Sequence, residues 1–277
     1  MTEVVIRPLD LPEVETLLGW AKDEGWNPGL ADAAPFHAAD PDGFIGCFVD
    51  GVMAAGLSAV RYGDDFGFIG LYIAHSDCRG RGYGRRVWDA GMAHLAGRTI
   101  GLDGVPEQQA NYRAMGFLPD YDTHRWSGKL EGRTGQDIQT LDESHVAALI
   151  DFDSRHFAAP RPGFIAEWLK PPRMVKVLIR DGVIEGYAVS RQCHEGHKVG
   201  PLFAADATAA KGLLEACAAE NPGETLHIDV PESRIEFSAI LEQTGFAKGF
   251  RTTRMYRRPA PSMALAGVFG VTTLELG

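Results

Sequence analysis

The chain contains 277 residues, of which 45% are hydrophobic and 23% charged, and its formal net charge is -10 at pH 7. This length and composition predict a globular protein of about two domains, each able to bury an ordinary core. The acidic balance argues against nucleic acid as a partner. The N-terminal residues alternate like a strand and no long apolar run occurs, so we expect no export leader, no membrane contact and a cytoplasmic location.

The four cysteines are scattered along the chain and form no Cys-x-x-Cys pair. This spacing favours reduced thiols over a disulfide framework or a metal centre. The run from Cys193 to His197 offers three metal-binding side chains, but it lies where a hairpin turn is expected. We therefore predict that the protein binds no metal.

The first half of the chain predicts a strand, a helix and then three antiparallel strands in succession. Hydrophobic periodicity places these elements at residues 4–7, 12–21, 43–49, 52–62 and 66–74. The first two strands of this meander are joined at Asp50-Gly51, which is a strong hairpin signal. The loop after the helix carries Glu24 and Trp26, and a carboxylate beside a large aromatic is typical of a ligand site. A turn capped by a packed tryptophan is the alternative.

A segment rich in glycine and arginine follows the third meander strand. Its alternate glycines, Gly80, Gly82 and Gly84, carry no Cβ, so consecutive amides can converge on an anion where a helix begins near Tyr83. Forked guanidinium donors beside such amides suit a multiply charged phosphate ligand. The arginines of the segment are Arg79, Arg81, Arg85 and Arg86. A solvated basic helix start is the alternative, but it leaves these cations opposing the helix dipole.

Three kinds of phosphate-binding loop compete for this segment. A P-loop would need Lys-Ser/Thr after its glycines, and none follows here. A dinucleotide fold would have its third glycine one residue later, although Asp103 is suitably placed for a ribose contact. A methyltransferase loop fits the glycine spacing, and Asp77 precedes it. The meander argues against the last two, because both should approach the glycine loop from an early parallel strand.

The elements after the glycine loop complete a pattern that resembles a known family. A strand at 99–102, a short helix at 108–115 and an extended segment from Phe117 toward Trp126 follow the loop. This order, with Arg79-Gly-Arg-Gly-Tyr-Gly84 and Tyr112-Arg-Ala-Met-Gly-Phe117, resembles the GCN5-related N-acetyltransferase (GNAT) family over roughly the first 130 residues.

Two further segments are similar to a bacterial two-domain subgroup, the YitH-like acetyltransferases. They are Glu24-Gly-Trp-Asn-Pro-Gly29 and Gly101-Leu-Asp-Gly-Val105. The sequence departs from the wider family where an Asn commonly stands a few residues before the tyrosine, because it has Val105 and Gln108 there. The sequence therefore leaves open which residues make the contacts that this helix normally provides.

The resemblance implies acetyl-CoA as cosubstrate and gives each motif a role. Main-chain groups of Tyr72, Ile73 and Ala74, at the splayed end of the central strand, would bind the acetyl carbonyl and the pantetheine arm. Tyr112 would protonate the departing thiolate, with a tyrosine packed under the Gly-Phe turn as the alternative. The pyrophosphate would be held by amides and side chains of Arg79, Gly80, Arg81, Gly82, Tyr83, Gly84 and Arg85.

Acetyl transfer also needs a base that takes the proton from an ammonium acceptor. Glu24 and Asp103 are the candidates, and His37 is a weaker third. Each has a structural alternative, since Asp103 could cap the turn after its strand and Glu24 could be a solvated helix end.

The pattern starts again after a polar linker at 131–135. Residues 181–183 repeat 50–52, and residues 244–246 repeat 115–117, at an offset of about 130 positions. Strands and one helix of this half are expected at 175–179, 183–189, 198–204, 207–219 and 226–230. We therefore predict an acyl-CoA-binding domain over 1–130 and a second, degenerate GNAT-like domain over 136–277.

The second half lacks the chemistry of the first. No glycine stands between Phe203 and Lys211, and Leu241 takes the place of Tyr112. Side chains in that loop would obstruct the approach of the main chain to a pyrophosphate, so one acyl-CoA site is expected. The second domain should supply part of the acceptor pocket or an interface. The candidate wall residues are His156, Arg161 and Trp168.

These features together predict an α/β (α+β) protein with two tandem GNAT-like domains, each a mixed, mainly antiparallel sheet flanked by helices. The predicted activity is transfer of an acetyl group from acetyl-CoA to a primary amine of a small molecule, and a homodimer is compatible with the sequence. A non-catalytic acyl-CoA-binding sensor is the alternative, and an S-adenosylmethionine-dependent methyltransferase is a more distant one. No motif identifies the acceptor or the acyl-chain length.

Overall fold

The computed structural model describes residues 2–277, and one continuous sheet of 13 strands runs through it. The strands of the first half are β1 (Val4–Pro8), β2 (Phe44–Val49), β3 (Val52–Tyr62), β4 (Phe66–Ala74), β5 (Thr99–Gly104) and β6 (Leu118–Gly128). Its helices are α1 (Leu11–Asp23), α2 (Ala33–Ala39), α3 (Tyr83–His94) and α4 (Gln109–Ala114). The predicted elements of this half are present, and α2 is an addition to them.

The second half repeats the same order of elements. Its strands are β7 (Ile138–Thr140), β8 (Met174–Arg180), β9 (Val183–Gln192), β10 (His197–Ala204), β11 (Leu226–Pro231), β12 (Ala247–Arg257) and β13 (Val268–Gly270). Its helices are α5 (Val146–Ser154), α6 (Pro162–Trp168), α7 (Ala207–Glu220) and α8 (Ile235–Gln243). Within residues 2–277, no helix has the length and apolar character needed to cross a bilayer.

The sheet is mixed and mainly antiparallel, as predicted. Its strand order is β1-β2-β3-β4-β5-β12-β6-β11-β10-β9-β8-β7, and β13 pairs with β10 outside this path. In this order β4 pairs with β5, and β10 with β11, in parallel, and each pair lies at the middle of its own half. Parallel neighbours need a crossover connection, which α3 supplies in the first half and α7 in the second.

The two halves exchange their last long strands. Strand β12 of the second half pairs with β5, with Arg254 opposite Asp103, while β6 of the first half pairs with β11, with Trp126 opposite Ile228. Strands β12 and β6 also pair with each other, which joins both halves into one sheet. The division of the chain at residues 131–135 stays a prediction, because the sheet itself runs across it.

Helix α1 positions the loop that carries Glu24 and Trp26. The helix begins with a capping box, in which the Asp10 carboxylate accepts from the Glu13 amide and the Glu13 carboxylate accepts from the Asp10 amide. Its buried stripe consists of Val14, Leu17, Leu18 and Ala21. Because this stripe packs into the core, the end of the helix and the following loop are held at a fixed place beside the sheet.

The C-terminal tail after β12 crosses both halves of the molecule. Strand β13 pairs with β10, and the amide of Val271 donates to the carbonyl of Asp229 on β11 at 2.9 Å. The tail thus enters the space where β10 and β11 diverge, beyond their last pair at Val199 and Ile228. It then reaches the first half, where the Ser58 hydroxyl donates to the carbonyl of Glu275 at 3.0 Å.

Gly70 on β4 makes room for this tail, because a Cβ at that position would lie 2.1 Å from the carbonyl oxygen of Glu275. We expect Gly70→Ala to lower the free energy of unfolding by about 1–3 kcal/mol through overpacking. Urea denaturation measures the change. Gly19→Ala is the matched control, since Gly19 lies inside α1 with open space around it, and this change should stabilise by about 0.5–1 kcal/mol. Equal changes in the free energy of unfolding of the two variants would contradict the close packing of the tail against Gly70.

Candidate active site

A cavity of about 630 Å³ opens where β4 and β5 diverge. The two strands pair only as far as Ile69 and Leu102. A bulge then bends β4 away, because Gly70 lies opposite Ser58 whereas Ile73 lies opposite Gly56, and Leu71 adopts a φ of 47°. The main chain of β4 beyond Ile69 therefore has no partner on β5 and faces the cavity.

Several of the predicted site residues line this cavity, although they come from distant parts of the sequence. They are Glu24, Tyr72, Ile73, Ala74, Arg79, Asp103 and Tyr112. The remaining predicted residues, Gly80 to Arg85, lie next to Arg79 on the loop and first turn of α3, outside the cavity lining. His37 is half-buried on α2 and does not line the cavity.

The glycine loop presents a row of free amides at the start of α3. Gly80 and Gly82 have φ angles of 76° and 84°, a region that favours glycine, and no atom lies within 4 Å of where their Cβ would be. The first helical hydrogen bond runs from the Arg86 amide to the Gly82 carbonyl, and within residues 2–277 the amides of residues 80 to 85 have no main-chain acceptor. Such a row is suited to bind an anion.

Gly84 allows this loop to approach the end of β4. A Cβ on Gly84 would lie 3.0 Å from the Tyr72 hydroxyl, and the Tyr72 ring packs 5.2 Å from that of Trp88 on α3. The glycine loop is thereby held against the strand whose main chain faces the cavity. A ligand with a phosphate at the loop could extend along β4 into the cavity.

The arginines of the loop do not all point to the same place. Arg79 donates to the carbonyl of Ala74 at 3.2 Å and forms an ion pair with Glu24. Arg85 pairs with Asp89 on its own helix at 2.8 Å. Glu24 therefore lies at the cavity as predicted, but its carboxylate is bound by the loop arginine.

Tyr112 faces the cavity from α4 and is supported by aromatic packing. Its ring stacks 5.6 Å from Trp88 and lies 6.3 Å from Phe117, and a Cβ on Gly104 would come within 3.1 Å of it. Burial raises the pKa of the Tyr112 phenol to about 12, and the neighbouring Tyr72 adds to the rise. The phenol is therefore protonated at neutral pH and available as a hydrogen-bond donor.

Asp103 also reaches the cavity wall, but its side chain is fully buried and paired. Its two carboxylate oxygens accept from Arg254 of β12 at 2.8 and 2.9 Å. Burial raises the pKa of the Asp103 carboxyl, and the Arg254 guanidinium opposes that rise. This pair joins the two halves of the molecule directly beneath the cavity.

The second half contributes the far wall of the cavity, though not through the helices that the sequence suggests. The expected wall residues are wrong: Arg161 is buried against Asp153, Trp168 donates to the carbonyl of Gly200 at 3.1 Å, and neither lines the cavity, nor does His156. The wall is instead formed by Phe250, Thr252, Leu274 and Glu275, with Arg125 of the exchanged strand β6. No sequence signal indicated them, because strand exchange and the path of the tail depend on long-range packing.

The corresponding space in the second half is filled by the protein itself. Strand β13 occupies the gap between β10 and β11, and a Cβ on its Gly270 would lie 2.9 Å from Ile228 and 3.2 Å from Leu202. The turn that ends α8 has the same geometry as the turn that ends α4. The Phe246 amide donates to the Leu241 carbonyl at 2.9 Å, just as the Phe117 amide donates to the Tyr112 carbonyl at 3.0 Å. Leu241 itself is buried and carries no hydroxyl.

Comparison with known proteins agrees with this geometry. The sequence model of the Acetyltransferase (GNAT) family matches residues 11–118, and that of an Acetyltransferase (GNAT) domain matches residues 149–270. The holothin acyltransferase of Pseudoalteromonas sp. (strain SANK 73390) is 31% identical over 278 residues, which cover 98% of this chain and 94% of the relative.

Solved structures share the fold at low sequence identity. A candidate acetyltransferase from Pyrococcus horikoshii superposes with a TM-score of 0.83 at 17% identity, covering 99% of this chain and 96% of its own. A tandem GNAT protein from the clavulanic acid biosynthesis pathway gives 0.63 at 14% identity, with coverage of 94% and 100%. The fold is thus that of a tandem acyltransferase. The chain belongs to the GNAT family, and both of its halves have the family's fold.

Proposed function

We propose that this acyltransferase transfers an acetyl group from acetyl-CoA to a primary amine of a small molecule, in the cavity between β4 and β5. One observation carries the proposal: the main chain of β4 that has no partner on β5 leads from the glycine loop along the same cavity that Tyr112 lines. A pantetheine arm needs main-chain partners along its length, and a pyrophosphate needs clustered donors at its end. Both are present in the first half.

The cosubstrate would be held by the residues that the sequence predicts. The amides from Gly80 to Arg85 would bind the pyrophosphate, with Arg79, Arg81 and Arg85 supplying positive charge. Main-chain groups of Tyr72, Ile73 and Ala74 would hydrogen-bond the pantetheine arm and the acetyl carbonyl. Binding at one site rather than two is supported by the second half, where β13 already fills the equivalent gap.

Tyr112 would act at the leaving group. When the amine nitrogen attacks the acetyl carbon, a C–N bond forms and the carbonyl electron pair moves to oxygen. As the C–S bond breaks, its electron pair passes to sulfur, and the Tyr112 hydroxyl donates to the developing thiolate. The acceptor ammonium loses two protons in all, one that ends on the coenzyme A thiol and one that goes to solvent. Because the phenol has a raised pKa, it is protonated before every turnover.

The acceptor would lie against the wall that the second half supplies. This wall combines the apolar side chains of Phe250 and Leu274 with the polar groups of Thr252 and Glu275, and Trp26 of the first half lines the same cavity. A cavity of about 630 Å³ suits a small ligand rather than a protein surface. The relative that is 31% identical is named a holothin acyltransferase, which supports an acceptor other than a protein surface here as well.

Thiol release from acetyl-CoA over a panel of small primary amines tests the proposal. We expect Tyr112→Phe to lower kcat by about 100-fold while leaving the Kd for acetyl-CoA unchanged, because only the proton donor is removed. Tyr121→Phe is the matched control, since Tyr121 lies on β6 outside the cavity and loses the same atom. It should retain wild-type activity.

Two outcomes would favour the alternatives. Binding of acetyl-CoA without turnover of any amine would indicate a sensor, in which Tyr112 serves packing only. Thermal stabilisation by S-adenosylmethionine and not by acetyl-CoA would indicate a methyltransferase, because a ligand that binds the native state stabilises it more the more tightly it binds.

A further inference from the structure

The C-terminal tail brings one acidic residue to the wall of the cavity. The residue is Glu275, which is only 5% exposed and lines the cavity wall. Its carbonyl accepts from the Ser58 hydroxyl at 3.0 Å, and the next carbonyl, of Leu276, accepts from the Tyr62 hydroxyl at 3.0 Å. Because the tail is fixed on the rigid strand β3, the position of the side chain is fixed with it.

This carboxylate differs from the other acidic groups of the cavity. Glu24 is paired with Arg79 and Asp103 with Arg254, so each already has a cationic partner, and Glu107 is exposed to solvent. The Oε2 atom of Glu275, in contrast, is buried and has no hydrogen-bond partner within residues 2–277. A buried polar atom without a partner costs about 1–3 kcal/mol, and more when charged. Such a group at a cavity wall indicates that a ligand supplies the missing donor.

Five charged groups lie around Glu275, and within residues 2–277 none of them makes a hydrogen bond to its Oε2 atom. They are Asp103 on β5, Arg125 on β6, Arg191 on β9, Lys198 on β10 and Asp229 on β11. Burial lowers the pKa of Lys198, Arg125 adds to the fall, and the negative charge of Glu275 opposes it.

Each of these three cations makes its hydrogen bonds elsewhere. Arg125 binds Asp229 at 2.8 and 2.9 Å, Arg191 pairs with Asp32 at 3.2 Å, and Lys198 donates to the carbonyl of Trp26 at 2.9 Å. The cations therefore attract the Glu275 carboxylate over a distance but leave its oxygen free for another donor.

We infer that Glu275 binds the ammonium group of the acceptor and takes the first proton from it, an inference that rests on the proposed function. One N–H bond of the ammonium breaks, its electron pair stays on nitrogen as the nucleophilic lone pair, and the proton forms an O–H bond on Glu275. The free amine then attacks the acetyl carbon. When the tetrahedral intermediate collapses, the second nitrogen proton replaces the one that Tyr112 gives to the coenzyme A thiolate, so the phenol is restored. The proton on Glu275 passes to solvent once the amide product departs.

Glu275→Gln tests this role, because it keeps the shape of the side chain and removes its charge and basicity. With acetyl-CoA and the best amine of the panel, we expect kcat/KM to fall by about 100-fold while the Kd for acetyl-CoA and the Tm stay at wild-type values. Glu107→Gln is the matched control, since Glu107 lies at the same cavity but is exposed.

A second readout keeps the inference separate from the proposed function. In the acetyl-CoA-bound protein, benzylamine should raise the Tm of the wild type and of Glu107→Gln but not of Glu275→Gln, while neutral benzyl alcohol should affect all three equally. This pattern of Tm changes would support the ammonium site even if no amine in the panel were acetylated. A lack of acetylation would then count against the proposed function and not against the ammonium site. Wild-type kcat/KM in Glu275→Gln would overturn the inference. So would a wild type that benzylamine does not stabilise, or a parallel loss of Tm and acetyl-CoA binding in the variant.

Discussion

Gly82→Glu should raise the Kd for coenzyme A by about 1,000-fold or more, which corresponds to about 4 kcal/mol of binding free energy. Gly82 precedes the first residue of α3 and has a φ of 84°. A side chain in this left-handed conformation costs about 1–2 kcal/mol. The added carboxylate would also stand among the amides of residues 80 to 85, where we place the pyrophosphate, and would repel it.

Loss of hydrogen bonds accounts for most of the rise in Kd, because the backbone strain is present with and without the ligand. A hydrogen bond to a charged group is worth about 1.5–3 kcal/mol, so displacing the phosphate from two amides removes most of the affinity. Isothermal titration with coenzyme A measures the change directly, without any need for an acceptor.

Gly223→Glu is the matched control for this variant. Gly223 lies between α7 and β11, has a φ of 79° and, like Gly82, has no atom within 4 Å of its Cβ position. The control therefore carries the same strain and the same charge far from the loop, and it should bind coenzyme A as the wild type does. Unchanged affinity in Gly82→Glu, or equal loss in both variants, would show that the glycine loop does not hold the diphosphate.

Short-range chemistry accounts for the parts of the fold that the sequence predicts correctly. Asp50 and Gly51 both adopt positive φ angles, 49° and 82°, which is what a two-residue hairpin requires. Gly116 and Gly245 each have a φ of 89° at the ends of equivalent helices, so the internal repeat is a repeat of backbone geometry. In these cases the residue type and its neighbours decide the structure.

Long-range pairing accounts for what the sequence does not predict. Strands β12 and β6 have the same local pattern whether they pair within their own half or are exchanged, so no periodicity distinguishes the two arrangements. The ion pair between Asp103 and Arg254 exists only because of the exchange, and it joins residues 151 positions apart. A candidate base that looks free in the sequence is therefore bound in the structure.

The tail is the second feature that sequence reasoning missed, for a related reason. Residues 271–277 form neither a helix nor a strand, and they fit between the halves only once both halves of the sheet are in place. Their burial explains why a degenerate second domain remains tied to the first. The second half supplies β12, the far wall of the cavity and the tail that carries Glu275.

A buried ion pair between Arg161 and Asp153 holds the start of the C-terminal tail. The Arg161 side chain is 0% exposed and that of Asp153 1%, and they are joined by hydrogen bonds of 2.9 and 2.8 Å. Arg161 also donates to the Thr272 hydroxyl at 2.7 Å, and Asp153 accepts from the Tyr187 hydroxyl at 2.5 Å. Asp153 thus balances the charge of Arg161, which connects the start of α6 to the tail.

Asp153→Asn should lower the free energy of unfolding by about 3–5 kcal/mol, because it leaves the Arg161 guanidinium buried without a counter-charge. Urea denaturation measures this change in the free energy of unfolding, provided that the variant and the wild type have the same m-value. Asp137→Asn is the matched control: Asp137 pairs with Arg180 at 3.3 Å, but both side chains are about half exposed, and the loss there should stay below about 1 kcal/mol.

The same substitution separates a local role of the pair from a role in the active site. If Arg161 positions the tail, Asp153→Asn should displace Glu275 and so lower the rate of amine turnover. The glycine loop belongs to the first half and should still bind coenzyme A. A variant as stable as Asp137→Asn would mean that the pair contributes little. Full stability loss with unchanged kcat/KM in the folded fraction would mean that the tail is held by its packing against Gly70 and Ser58 instead.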